Sequence, residues 1–99
     1  MSELKITRTL KITCNPYAWE IQAKEGSNWV MLYNCRTLDS VIRLASDHLA
    51  KNYKGKEDLI KVWHDKTLLV CKALQDNKKL VKKMGLQVQG LGGNPNQLT

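Results

Sequence analysis

The residues of this chain that could carry out chemistry are few and widely spaced. The histidines are His48 and His64, and the cysteines are Cys14, Cys35 and Cys71. A zinc site needs three or four ligands, usually including a closely spaced pair. Only His64 and Cys71 lie within ten positions of each other; they could share one helix face, but they do not complete a ligand set.

No motif selects a catalytic pair either. Cys35 and His48 could in principle act as nucleophile and base, but nothing in the surrounding sequence favours them. The chain has no G-x-S-x-G, P-loop or dinucleotide-binding pattern. We therefore predict a protein that is not an enzyme, with no metal site and no cofactor.

Lysines in the second half of the chain are the remaining functional candidates. At about 100° per residue, the apolar side chains between residues 59 and 84 fall within an arc of roughly 140°, with lysines on the opposite side. Such a helix would pack its apolar side into a core and offer its cationic side to a polyanion or an acidic protein. The predicted partner-binding or nucleic-acid-binding residues are Lys61, Lys72, Lys78, Lys79, Lys82 and Lys83.

The charge distribution points to the same half of the chain. The formal net charge is +7, with six Lys/Arg against five Asp/Glu in residues 1–50 and ten against four in residues 51–99. A solvated lysine face that only aids solubility, or one that stabilises a helix dipole, is the alternative. Residues 78–83 contain four lysines but no arginine that could read base edges, and no aromatic residue beside them could stack on bases. Both points disfavour dedicated nucleic-acid binding.

The cysteine content bears on the compartment. Three cysteines are an odd number, and no two of them form a C-x-x-C pair. There is no signal peptide, and no apolar run approaches 18 residues. We predict a cytoplasmic protein with reduced thiols and no membrane association.

The first 35 residues predict three strands. Apolar and polar side chains alternate from Leu4 to Cys14, with Arg8 at an exposed end or a bulge. A second strand follows Asn15-Pro16, and residues 25–28 suit a hairpin loop. In the third strand, the spacing of Trp29, Met31 and Tyr33 predicts that they share one face.

The remaining residues predict helices. Thr37 suits an N-cap with Asp39 in the first turn, and Gly55 suits a stop. A second helix is predicted from Glu57-Asp58 to a stop at Gly85, either continuous or broken near residues 64–67. Trp63 lies near the middle of its apolar arc, so we expect it to be buried where this helix crosses the sheet, near a strand tryptophan.

The predicted fold class is therefore α+β: a three-stranded antiparallel β-meander followed by two, possibly three, α-helices packed on one face of the sheet. Residues 1–85 are predicted to form a single domain. Residues 86–99, rich in glycine and asparagine, are predicted to be a mostly flexible tail.

A set of apolar and capping residues between positions 12 and 49, under half of the chain, forms a recognisable pattern. It consists of Ile12, Trp19-Glu20-Ile21, Trp29 and Thr37-Leu38-Asp39-Ser40-Val41-Ile42. In this pattern the chain resembles small accessory proteins of temperate phages and prophages of enteric bacteria, families that mostly have no known function. The resemblance implies a phage or prophage origin and a protein–protein role, such as blocking a host nuclease or a defence complex. It assigns no site residues.

From the absence of catalytic motifs, the small scaffold and the polarised charge, we predict a non-enzymatic binding protein. Its expected partner is a host protein with an acidic surface, and its oligomeric state is left open. The alternative is a sequence-nonspecific nucleic-acid-binding protein that uses the basic carboxyl-terminal helix.

Overall fold

The computed structural model describes residues 3–92, and the side chains of residues 3–88. It has an antiparallel sheet of four strands in the order β1-β2-β3-β4, followed by three helices. The elements are β1 (Glu3–Thr7), β2 (Leu10–Asn15), β3 (Ala18–Glu25), β4 (Asn28–Cys35), α1 (Leu38–Lys51), α2 (Leu59–Asp76) and α3 (Lys78–Gly92). The predicted α+β class with an antiparallel meander is confirmed, with one more strand than predicted.

The additional strand arises because the predicted first strand folds back on itself. Thr7 pairs with Leu10, so Arg8 and Thr9 form a tight loop between β1 and β2. The Thr9 backbone N–H donates to Thr7 Oγ1 at 3.2 Å, a local side-chain contact that stabilises such turns. The prediction of one strand from Leu4 to Cys14 is therefore wrong.

A bulge in β4 divides the side chains of that strand between two faces. Ile21 pairs with Tyr33 but Gln22 pairs with Met31, so β4 has one extra residue at this point. Tyr33 therefore faces the helices, whereas Trp29 and Met31 face the opposite, helix-free side. The prediction that all three share a face is wrong.

The core lies between the sheet and the three helices. Leu10, Ile12 and Ile21 from the middle strands are fully buried. The buried side chains that cover them from the helices are Val41 and Ala45 of α1, Val70 and Leu74 of α2, and Met84 and Val88 of α3.

The helix-free face of the sheet carries a hydrogen-bonded cluster of polar side chains on β2 and β3. Glu20 accepts hydrogen bonds from Asn15 Nδ2 at 2.6 Å, from Thr13 Oγ1 at 2.9 Å and from Gln22 Nε2 at 3.1 Å. The bond from Asn15 contributes most to lowering the pKa of the Glu20 carboxyl, and the bonds from Thr13 and Gln22 lower it further. Partial burial acts in the opposite direction and raises the pKa. Acceptance of several hydrogen bonds favours the ionised form.

The helix starts follow from capping side chains. Thr37 Oγ1 accepts from the Ser40 backbone N–H at 3.2 Å, so the predicted N-cap of α1 is confirmed. Asp58 caps α2 in the same way, accepting from the Ile60 N–H. Gly55 lies in the loop between the two helices, beyond the end of α1.

The predicted long helix is two helices, and the break is at Asn77. Its backbone, with φ −120° and ψ 32°, leaves the helical conformation, and its Nδ2 donates to the Ala73 carbonyl at 2.8 Å. The predicted continuous helix is therefore wrong; the predicted division into two helices is confirmed, but its position near residues 64–67 is wrong because these residues lie inside α2. The predicted stop at Gly85 is also wrong, since α3 continues to Gly92. Of the flexible tail predicted for residues 86–99, residues 86–92 belong to α3, and residues 93–99 lie outside the described residues.

Trp63 packs against α1 rather than the sheet. Its side chain is 41% exposed, and its Nε1 donates to Asp47 Oδ1 at 2.6 Å. The predicted burial near Trp19 or Trp29 is wrong because this end of α2 lies against α1, as the hydrogen bond to Asp47 indicates. Within residues 3–92, no helix has both the length and the apolar character needed to cross a membrane.

Candidate protein-interaction surface

Helix α3 presents its lysines to solvent because its opposite side is buried. Met84 and Val88, four residues apart, are buried against the sheet. The four lysines on the other side of the helix are all exposed. We call this surface the lysine face, and it consists of Lys78, Lys79, Lys82 and Lys83.

The lysine face has no acidic partner among the described side chains. The three salt bridges of that part of the chain lie elsewhere, and α3 itself contains no Asp or Glu. Asp76, at the end of α2, pairs instead with Lys72. Four uncompensated cations within two turns give a local positive potential that attracts anionic partners.

Lys61 and Lys72, also predicted as binding residues, belong to a different surface. Both lie on α2, and each has an acidic neighbour on its own helix or at its start. Lys61 Nζ is 3.4 Å from Glu57, and Lys72 Nζ is 3.7 Å from Asp76. The structure therefore brings four of the six predicted lysines together on one helix, and the break at Asn77 separates them from the other two.

An apolar groove adjoins the lysine face. It has a volume of about 440 Å³ and lies between α3 and the turn that joins β4 to α1. Arg36 and Lys82 supply its charged walls, and Leu86 stands 62% exposed between the groove and the lysines. Its remaining lining residues are Trp19, Thr37, Leu38, Val81 and Gly85.

The sequence analysis missed Arg36 and Leu86 as members of this surface. Leu86 was assigned to a tail because the helix was expected to end at Gly85. The available signal was its spacing, three residues after Lys83 and four after Lys82, which places it on the lysine side of a continued helix. Arg36 is distant in sequence and is brought there by the packing of α3 near the β4–α1 turn.

A second groove separates the end of α1 from the start of α2. It is lined by Asp47, Ala50, Lys51, Tyr53, Leu59 and Trp63. Three of its polar side chains are engaged within the protein: Trp63 donates to Asp47, and Tyr53 Oη donates to Glu57 Oε1 at 2.8 Å. This bond raises the pKa of Tyr53 and lowers that of Glu57. Because these groups bind each other, this groove offers less to a charged ligand than the lysine face does.

The thiols are poorly suited to nucleophilic chemistry. Cys14 and Cys35 are buried, and burial is the main cause that raises the pKa of each thiol. Cys14 Sγ donates to Gln87 Oε1 at 3.2 Å, which fastens α3 to β2. Cys71 is half-buried on α2, and His64 is exposed on the same helix. No three His, Cys, Asp or Glu side chains within the described range lie close enough together to hold a metal ion.

The fold and this surface define a small α+β protein with a basic helical face beside an apolar groove. No protein-family model, curated protein or solved structure matches the chain. The resemblance to phage accessory proteins thus stays a prediction.

Proposed function

We propose that this protein is a non-enzymatic binding protein that docks its lysine face on an acidic surface of a partner protein. One observation carries the proposal. Four exposed lysines without an acidic partner among the described side chains surround the exposed Leu86, beside a groove that contains Arg36.

The arrangement has the layout of an interaction surface. In protein interfaces an apolar centre is surrounded by a polar rim, and charge complementarity accelerates association and selects partners. Leu86 and the apolar groove supply the centre, and the lysines supply the rim. The expected partner therefore has an apolar side chain flanked by carboxylates.

The resemblance to phage accessory proteins adds a source for that partner. If it holds, the acidic surface belongs to a host protein, such as a nuclease or a defence complex, and binding blocks that protein. The lysine face itself supports only the chemistry of the partner.

The same cationic surface favours nucleic acid as the second candidate. Phosphate contacts need only exposed lysines, and four of them predict a log–log salt slope of roughly −3 to −4 on a duplex. Against this candidate, the one aromatic ring among the described residues that line the adjoining groove is buried, so it cannot stack on a base.

The test compares two matched variants with the wild type in pull-downs from bacterial lysate, followed by titration of the purified partner. In the first variant, Lys78, Lys79, Lys82 and Lys83 are all replaced by Gln. In the control, Lys61 and Lys72 are replaced by Gln. We expect the wild type and the control to bind one acidic protein in a salt-dependent manner and the first variant to lose that binding.

Other outcomes would refute the protein-binding proposal or favour nucleic-acid binding instead. Failure of the wild type to retain a partner at moderate salt would refute the proposal, as would equal retention by the first variant. Binding of a DNA duplex at about 50 mM salt, lost in the same variant, would favour the second candidate. Leu86→Ala separates them further, because it should weaken a protein partner and leave phosphate contacts intact.

A further inference from the structure

The two edges of the sheet are protected unequally. The strand order makes β1 and β4 the edge strands. β1 has five residues, two of which are the charged Glu3 and Lys5, and its register is irregular before Thr7. β4 has eight residues, with the sequence NWVMLYNC, and contains no charged residue and no proline.

Unprotected edges recruit other strands. Proteins usually block them with short strands, charged side chains, proline or bulges. β4 has only the bulge, which interrupts regular pairing near Leu32 and leaves Asn28–Met31 straight. Within that segment Val30 is 38% exposed towards the helix side of the sheet and Met31 is 49% exposed towards the other side. Apolar side chains are thus exposed on both faces next to an open row of backbone hydrogen-bonding groups.

We propose that β4 pairs antiparallel with β4 of a second copy of this chain, giving a two-fold symmetric dimer with a continuous eight-stranded sheet. A strand that covers this edge must be uncharged and apolar on both faces, and β4 itself meets that requirement. The charge distribution also favours this edge, because residues 1–50 carry a net +1 whereas residues 51–99 carry +6. The half of the chain that contains β4 thus adds little net repulsion between two copies, and its Lys11 and Lys24 ammonium groups lie over the Trp29 ring, 4.4 and 5.9 Å from the ring centroid.

Symmetry restricts the register of the pair. With the helices of both copies on one side of the sheet, residues that oppose each other must face the same way. Centring the pair before the bulge sets Val30 opposite Val30 of the second copy, and Trp29 opposite Met31. Aromatic and apolar cross-strand pairs of this kind stabilise sheets. The charged β1 edge then stops growth at two copies.

The first experiment is sedimentation velocity of the full chain between about 5 and about 500 µM. The wild type should approach twice its 11.3 kDa mass as concentration rises. Val30→Lys brings two like charges face to face on the symmetry axis and should weaken dimerisation at least about tenfold. Leu68→Lys adds the same charge on the exposed side of α2 and should leave dimerisation unchanged.

The second experiment tests the register and does not depend on a weakened variant. Under mild oxidation Val30→Cys should form a covalent dimer, whereas Leu68→Cys and the wild type should not. Amide hydrogen exchange of the wild type should slow with concentration in β4 and not in β1. A monomer across the whole concentration range, a dimer unaffected by Val30→Lys, or concentration-dependent protection outside β4 would each overturn the proposal.

Discussion

The orientation of α3 decides which side chains form the lysine face, and Met84→Ala tests that orientation. Met84 is fully buried against the sheet, and the adjacent Lys83 is exposed. Truncation of Met84 to Ala removes three buried heavy atoms at about 0.8 kcal/mol each, or about 2.4 kcal/mol of transfer free energy. A residual cavity adds to this loss, so we expect about 3–4 kcal/mol in total.

Urea unfolding followed by tryptophan fluorescence measures the effect. With a slope of about 1–1.5 kcal/mol/M for a small domain, the midpoint should fall by about 2–4 M. Lys83→Ala should change the free energy of unfolding by less than about 0.5 kcal/mol. Met84→Leu, which nearly conserves volume, should cost less than about 1.5 kcal/mol and keeps the test informative if Met84→Ala does not fold.

The reasoning fails if Met84→Ala and Lys83→Ala shift the midpoint by the same small amount. Met84 would then not be on the core side of α3. The four lysines would lose their assigned direction, and the proposed docking surface would have to be abandoned with them.

Three other predictions concern the side chains of Trp63, His48 and Glu20. Trp63→Phe removes the hydrogen bond to Asp47 and should lower the free energy of unfolding by about 0.5–1.5 kcal/mol. In a double-mutant cycle with Asp47→Ala, fully additive losses of unfolding free energy would contradict the hydrogen bond. Burial is the main cause that lowers the pKa of His48 below its ordinary value of 6.5. As pH falls below 6.5, this histidine is therefore protonated more readily in the unfolded chain than in the folded one. The free energy of unfolding should fall over the pH range from 6.5 down to the lowered pKa. Urea melts of His48→Gln should show a flatter pH dependence there, while His64→Gln, at an exposed site, should change stability by less than about 0.5 kcal/mol. The hydrogen-bonded carboxylate of Glu20 stabilises the fold above about pH 4.5, and this stabilisation is lost as pH falls through the lowered pKa. Glu20→Gln should therefore reduce the loss of unfolding free energy at acidic pH. An unchanged dependence of the unfolding free energy on acidic pH would refute this prediction.

Elements with local signals were predictable from the sequence. Helix α1 begins where a threonine can cap it, and Thr37 does so through a contact three residues away. The apolar alternation of the strands was equally readable. The turn at Arg8 was not, because the register shift between Lys5 and Thr7 offsets the two-residue loop, so the inward-facing side chains keep even-numbered positions from Leu4 to Cys14.

Two of the errors share one physical origin, which is extrapolation of a period across a backbone irregularity. The bulge in β4 reverses the direction of Trp29 relative to Tyr33. The break at Asn77 separates the two α2 lysines from those of α3. Within α3 the spacing alone sufficed to group four lysines, whereas Arg36 joins them only through tertiary packing.

The connectivity of the sheet has a consequence for the folding mechanism. Each strand pairs only with its neighbour in sequence, so the meander can form through closure of very short loops. Helix α3, in contrast, docks on β2, and its bond from Cys14 to Gln87 spans 73 residues. We therefore expect the hairpins to be formed in the folding transition state and α3 to dock after it. In a chevron plot, Met84→Ala should mainly accelerate unfolding, whereas Ile21→Val should mainly slow folding.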